Sequence, residues 1–230
     1  MPLHALVVGN TDGIGLALTK KLLASGWAVS GVSRRPSSLG DDRYGHTVLD
    51  VTAPDYAQAL AALLAGRPPL KACFYCAGIG DLFDPDDLAL EARTFAVNLV
   101  GAAVTVQTVL PAMLAAGQGH IVGLSSLADD GPSPEAPSYA ASKAGLTAYL
   151  VGLALALRSR GVHVTAVRLG FVDTKMAKAR VRPFMVSADQ AADAILRCLG
   201  TRTMQLTYPK RMGALVRVLR WMGALRVWAS

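Results

Sequence analysis

Short apolar, β-branched runs alternate along the chain with longer stretches of helical periodicity. The runs Leu3–Val8, Ala28–Ser33, Thr47–Val51, Lys71–Cys76, His120–Leu124, His163–Leu169 and Met204–Tyr208 predict strands. Helices are predicted near Gly13–Ser25, Pro54–Ala65, Asp86–Ala116, Ser138–Arg160 and Ala188–Leu199. Ser187 stands where the last helix needs an N-cap, and Gln190 three residues on completes a capping box. Strands and helices alternating at this length imply a parallel sheet of about seven strands, doubly wound, with helices on both faces: an α/β fold of three layers. Such a sheet is buried on both sides, which accounts for unbroken apolar runs such as Ala5–Val8 and Val162–Val167. Ala128–Pro137, rich in Asp, Gly and Pro, predicts a loop. With no internal repeat or linker, residues 1–200 are expected to form one domain. Residues 201–230 add the last strand and a basic extension of it.

Composition narrows the class. The 230 residues are 52% hydrophobic and 17% charged, which excludes a disordered chain. Three cysteines exclude a disulfide scaffold. The net charge of +7 is concentrated at the end: residues 200–230 carry six Arg and Lys and no acid, leaving a nearly neutral body. A basic tail fits nucleic acid, anionic lipid or an acidic partner. No nucleic-acid-binding module accompanies it, so no nucleic-acid partner is expected. The N-terminal run has no basic leader and no cleavage site and reads as a first strand. The charge-free helical run Ala144–Leu157 is too short for a span of ~20 residues. A cytoplasmic location is the expectation. Cys73 and Cys76 have C-x-x-C spacing, but on a strand they point to opposite faces, so no metal site is expected. Cys198 reads as core, and His4, His46, His120 and His163 are scattered singly and are given no chemistry.

Ligands of open parallel sheets bind beyond the carboxyl ends of the strands. The chemically informative residues lie there. After the first strand comes Gly9-Asn-Thr-Asp-Gly-Ile-Gly15, opening a helix. Its glycines let the backbone approach a pyrophosphate, and the helix N-terminus offers unpaired N–H groups to it. Ser33-Arg34-Arg35 closes the second strand. An acid there would bind the ribose 2′-hydroxyl of NAD, whereas arginine pairs with the 2′-phosphate of NADP. NADP(H) is therefore the preferred cofactor and NAD(H) stays open, because Asp12 places an acid inside the turn.

The remaining features suit proton transfer. Asn98 lies within a helical run, Ser125-Ser126 ends the fifth strand, and Tyr139 and Lys143 sit four apart at the start of a long helix, on one face. A lysine ammonium beside a tyrosine stabilises phenolate and is expected to lower the phenol pKa from about 10. Such a tyrosine is a general acid toward a developing alkoxide, or a base in reverse. Ser126 would donate a hydrogen bond to the same oxygen.

With these features together, the sequence resembles the short-chain dehydrogenase/reductase family, over about residues 1–200, in its Tyr-x-x-x-Lys form. The resemblance implies a Rossmann-type fold and a catalytic tetrad of Asn98, Ser126, Tyr139 and Lys143. It prefers Ser126 to Ser125 by its thirteen-residue separation from the tyrosine. For the cofactor it implies Gly9, Thr11, Gly13, Ile14 and Gly15 in the turn, Ser33, Arg34 and Arg35 at the 2′-position, and Asp50 and Val51 at the adenine. Ala77 and Gly78 would follow strand four, with Asn98, Tyr139 and Lys143 nearby, and Val172 and Thr174 would meet the carboxamide. It also implies that Lys143 binds the nicotinamide ribose, that Asn98 holds a water linking Lys143 to solvent, and that the chain forms a homodimer or homotetramer through Asp86–Ala116 and Ser138–Arg160. Val8, Cys76 and Leu169 depart from the family's usual Thr, Asn and Pro.

The expected activity is NADP(H)-dependent interconversion of a small-molecule carbonyl and an alcohol. Phe171, Met176, Ala177, Phe184 and Met185 suggest a small apolar lid and an apolar substrate. Lys175, Lys178, Arg180 and Arg182 leave an anionic one open. Lys210–Ser230 has Leu215, Leu219 and Met222 on one side of a helix, Arg217 and Arg220 on the other, and Trp221 and Trp228. It is read as a membrane-surface helix, a cleft cover or a subunit contact. Two alternatives of other classes are a non-catalytic NADP-binding sensor and a membrane-peripheral interaction protein.

Overall fold

In a computed structural model that describes residues 2–176, 182–216 and 218, seven parallel strands form one sheet in the order β3-β2-β1-β4-β5-β6-β9. They are β1 (His4–Val8), β2 (Ala28–Ser33), β3 (Tyr44–Val48), β4 (Leu70–Tyr75), β5 (Gly119–Ser126), β6 (Val162–Leu169) and β9 (Gln205–Tyr208). A two-stranded ribbon of β7 (Val172–Asp173) and β8 (Val186–Ser187) lies outside this sheet. The helices are α1 (Gly13–Ala24), α2 (Tyr56–Leu64), α3 (Ala89–Phe95), α4 (Gly101–Ala115), α5 (Pro137–Ala156) and α6 (Ala188–Thr201). This is the doubly wound three-layer architecture expected from the alternation.

The two-residue period of the strands divides the core. Leu6 and Val8 of β1 and Cys73 and Tyr75 of β4 face one layer, with Leu60 of α2, Val106 of α4 and Leu146 of α5. Ala5, Val7, Ala72 and Phe74 face the other, with Leu18 and Leu22 of α1 and Ile195 of α6. Each such fully buried Leu or Phe contributes about 1.5–3 kcal/mol. Cys73 and Cys76 fall in opposite layers and are free thiols, as the strand period required. Among the described residues no cluster of His, Cys, Asp or Glu has metal-binding geometry.

Several expected boundaries move. The third strand occupies Tyr44–Val48 rather than Thr47–Val51, because Asp50 ends it: the Asp50 carboxylate accepts from the Thr52 N–H at 2.9 Å, and its carbonyl accepts from the Ala53 N–H. The single helix expected at Asp86–Ala116 is α3 and α4 joined by a π-helical turn at Ala96–Val100. There the buried Tyr75 hydroxyl donates to the Val97 carbonyl at 2.5 Å, claiming a group that the regular ladder would use. Among the described residues Ala89–Ala115, a segment other than Ala144–Leu157, is long and apolar enough to cross a membrane by length and composition alone, although 44% of its apolar window is buried inside the protein. The Ser187–Gln190 capping box forms as expected.

At the amino end of the sheet, His120 sits 5% exposed, with Nε2 2.8 Å from the Thr165 hydroxyl and its ring edge-on to His163. Burial, with His163 and Arg202 adding to it, pushes its pKa down to about 4. The folded protein therefore refuses a proton that the unfolded chain accepts below about pH 6.5. That contribution to stability is complete above pH 6.5 and is lost as pH falls toward 4. Urea unfolding at pH 7 and pH 5 should differ by about 2 kcal/mol from this residue. His120→Gln should remove that part of the difference, and an unchanged difference in the variant would assign the acid sensitivity elsewhere.

Candidate active site

The carboxyl ends of the strands converge on a cavity of about 430 Å³ beside the point where strand order reverses between β1 and β4. Ile14, Gly78, Ser126, Tyr139, Lys143, Val172 and Thr174 line it. Each owes its place to a local feature. Ser126 is the last residue of β5, where the chain turns into the 3-10 turn Leu127–Asp130. Tyr139 and Lys143 lie one turn apart near the start of α5, whose first turn carries Pro137, a residue that needs no amide partner there. The Tyr139 ring rests against Gly80, where an added Cβ would fall 2.6 Å from the ring.

Lys143 is 4% exposed, donates from Nζ to the Leu124 carbonyl at 2.8 Å, and stands 5.8 Å from the centre of the Tyr139 ring. Burial brings its pKa down to about 8, against opposing pulls from Cys76 and Asp129. Tyr139 behaves differently from the expectation. Burial raises its pKa, a hydrogen bond with Ser126 opposes this, and Asp129 adds to the rise. The nearby ammonium does not bring the phenol below its ordinary value; burial is the largest influence on it and raises it. Tyr139 is a protonated donor at neutral pH.

Asn98 is completely buried in the π-helical turn. Its Oδ1 accepts from the Ile79 N–H at 2.9 Å, and Nδ2 donates to the Ile79 carbonyl at 2.8 Å and to the Ser142 hydroxyl at 3.0 Å. Both amide protons are thereby used, and the side chain braces the loop after β4. Gly78 fits closely here: an added Cβ would lie 3.4 Å from both Asn98 Oδ1 and Lys143 Nζ. Ser125, the alternative serine, also borders the cavity, but its hydroxyl is engaged in donating to the Lys143 carbonyl at 3.0 Å.

The glycine turn is built for close approach. Gly9 has φ +87°, and a Cβ on it would fall 2.6 Å from the Ala77 nitrogen. A Cβ on Gly15 would fall 2.0 Å from the Gly9 carbonyl oxygen. Thr174 sits against Gly13 and, with Ile14, lines the cavity where it meets the turn. This glycine-walled cradle at a helix start, continuous with the Tyr139 cavity, fits a dinucleotide lying from the turn to the tyrosine. The first turn of α1 carries no acid, although Asp12 caps it by accepting from the Gly13 N–H at 2.8 Å.

Of the other expected cofactor residues, Thr11, Ser33, Arg34, Arg35, Asp50, Val51 and Ala77 do not line the cavity. Thr11 and Ser33 hydroxyls are 3.0 Å apart, and Ser33 donates to the Arg35 carbonyl. Arg35 is not free: its guanidinium donates to Asp12 at 3.1 Å, and Lys175 donates to the same oxygen at 3.0 Å. Val51 packs against Gly101 at the start of α4. The expected lid divides. Phe171 and Met176 line the cavity, whereas Phe184 and Met185 line a separate groove near β9. Ala177, Lys178 and Arg180 lie outside the described residues, as do Arg217, Leu219, Arg220, Trp221, Met222 and Trp228. Residues 210–216 are helical, and Met212 and Val216 reach the cavity, a cover that the sequence suggested only as one of three readings.

The short chain dehydrogenase family model matches residues 3–183. The chain belongs to the short-chain dehydrogenase/reductase family. An uncharacterized oxidoreductase of Myxococcus xanthus is 30% identical over 94% of this chain and 91% of its own length. A crystal structure of a short-chain dehydrogenase from Streptomyces avermitilis superposes with a TM-score of 0.85 over 100% of this chain and 97% of that one, at 22% identity. An actinorhodin polyketide ketoreductase variant crystallised with NADPH superposes with a TM-score of 0.79 at 25% identity, over 90% and 95% of the two chains. Members of this family are oxidoreductases, and the sheet of this one carries the family's Rossmann-type topology.

Proposed function

We propose that this short-chain dehydrogenase/reductase is an NADP(H)-dependent enzyme that interconverts an apolar carbonyl compound and its alcohol. The observation that carries the reading is the opening of Ser126, Tyr139 and Lys143 into one cavity whose far wall is the Ile14 end of the glycine turn. When bound, the nicotinamide supplies or accepts the hydride. The chain's own residues handle the oxygen. Tyr139 donates its phenolic proton to the carbonyl oxygen as charge develops there, and Ser126 donates a second hydrogen bond to the same atom. Lys143 stands beside the phenolate as it forms, and its charge offsets it while the pH stays below about 8. Leu127, Phe171, Met212 and Val216 exclude water from the reacting pair.

The lining also selects substrate. Among the described residues around the cavity Lys143 is the one cation, whereas Asp81 and Glu135 contribute carboxylates. An apolar ketone or aldehyde suits these walls better than an anionic one. NADPH absorbance followed with medium-chain 2-alkanones, aryl aldehydes and α-keto acids tests this. Turnover of the neutral compounds with little of the acids is expected; no turnover of any carbonyl would sink the reading.

NADP is preferred on the strength of Arg34 and Arg35, and the NADPH-bound ketoreductase relative supports it. Asp12 competes with a 2′-phosphate for Arg35. Asp12→Asn keeps a capping oxygen but removes the competing charge. It should tighten NADPH by roughly fivefold, about 1 kcal/mol, and leave NADH nearly unchanged. Fluorescence titration with both cofactors measures this, and equal changes for the two would remove Arg35 from phosphate recognition.

A further inference from the structure

The turn that follows Ser126 carries a charged cluster to which the proposed reaction assigns no residue. Asp129, in the 3-10 turn, is 3% exposed, and Arg168, on β6, is 14% exposed. Arg168 Nε lies 2.9 and 2.7 Å from the two Asp129 oxygens, and its Nη2 donates to Asp129 at 2.5 Å and to Asp130 at 2.6 Å. Strand register places Arg168 opposite Ser125 and Leu169 opposite Ser126, so the pair ties the ends of β5 and β6 together at the site.

A second set of contacts runs from this pair into α5. Thr147 donates to Asp129 at 2.6 Å, and its oxygen is 2.6 Å from the Ser125 hydroxyl. Ser125 in turn donates to the Lys143 carbonyl. Tyr139, Lys143 and Thr147 follow one another at four-residue steps along one helix face. Asp129 thus fixes both the turn after Ser126 and the helix that carries the tyrosine and the lysine. Stability gives little reason to keep such a pair, since buried ion pairs are often replaced by apolar residues without loss.

We propose that the Asp129–Arg168 pair is a positioning element of the reaction, holding Ser126, Tyr139 and Lys143 in register and balancing the charge around them. The proposal rests on Tyr139 being the proton donor. The groups facing one another are Tyr139 and Lys143 from α5, Cys76 after β4, Asp129 and Asp130 from the turn, and Arg168 from β6. Asp129, Asp130 and Arg168 together leave one net negative charge. That charge retains protons on Tyr139 and Lys143, so the couple stays a proton donor at neutral pH. Removing an anion from the cluster should ease the first proton loss from the Tyr139–Lys143 couple, and removing the cation should hinder it.

The test is the pH profile of kcat/KM for reduction of a 2-alkanone by NADPH, with ultraviolet difference titration of each protein against its Tyr139→Phe counterpart. The wild-type limb that disappears with Tyr139→Phe is the reference; if no such limb exists, the reading of Tyr139 fails, and the difference titration still reports the couple. Asp129→Asn should move the limb to lower pH by about half a unit, and Arg168→Gln should move it to higher pH by a similar amount. Asp129→Glu should restore most of the wild-type profile. Should either variant fail to fold by near-ultraviolet circular dichroism, Asp130→Asn removes one anion from the less buried member and should give a smaller downward shift. Lower kcat in all variants with the limb unmoved would leave the pair a purely structural tie and overturn the proposal.

Discussion

Tyr139→Phe is expected to lower turnover by roughly 10³-fold or more while NADPH binds within about threefold of its wild-type affinity. The phenol oxygen is the one group in the cavity that pairs with Ser126 and stands protonated at neutral pH beside a buried lysine. Phenylalanine keeps the ring against Gly80, so the cavity keeps its shape and only the proton is lost. Stopped-flow or steady-state NADPH oxidation measures the loss, and quenching of tryptophan fluorescence measures binding. Turnover within tenfold of wild type in the variant would mean that another group, or solvent, protonates the oxygen.

Gly9→Ala should be strongly damaging to the cofactor turn, because backbone strain and overpacking add there. The position has φ +87°, which costs an L-residue about 1–2 kcal/mol. The new methyl would also press on backbone atoms of Cys76 and Ala77 at 2.6–2.9 Å. Those atoms belong to the segment that follows β4 and cannot swing aside as a side chain would. Overpacking of this kind costs about 1–3 kcal/mol, so a total loss of roughly 3 kcal/mol is expected. NADPH affinity should fall together with stability, because relief of the contact opens the turn from the loop after β4. Denaturant unfolding and cofactor titration of the variant measure both; a variant with wild-type stability and affinity would show that the turn is less tightly seated on Ala77 than described.

The sequence carried the architecture and the reacting groups because both are written in local pattern. Apolar runs with helical spacers predict the parallel sheet, and Gly9, Gly13 and Gly15 mark the one turn where a backbone must come close. Tyr139 and Lys143 are legible as a pair because a helix sets their spacing. Features fixed by partners distant in the chain were not legible. The π-helical turn at Asn98 depends on Tyr75, and the Asp129–Arg168 pair joins residues 39 apart. Ala128–Pro137 read as a plain loop, although its first residues form the turn that ties Ser126 to β6. The rise in the phenol pKa is hidden for the same reason: spacing reveals the neighbouring ammonium, whereas the burial that raises the pKa is set by the assembled fold. Arg35 likewise reads as a free phosphate partner until Asp12 is seen bonded to it.

The central chemical step is delivery of a hydride to a carbonyl carbon beside Tyr139. NADPH carrying deuterium at both C4 positions, incubated with the wild-type protein and a 2-alkanone, tests it directly by mass spectrometry of the product. The predicted product is the secondary alcohol with one deuterium on the former carbonyl carbon, formed as NADPH is consumed in equal amount. Unlabelled alcohol, or cofactor oxidised with the ketone untouched, would contradict it.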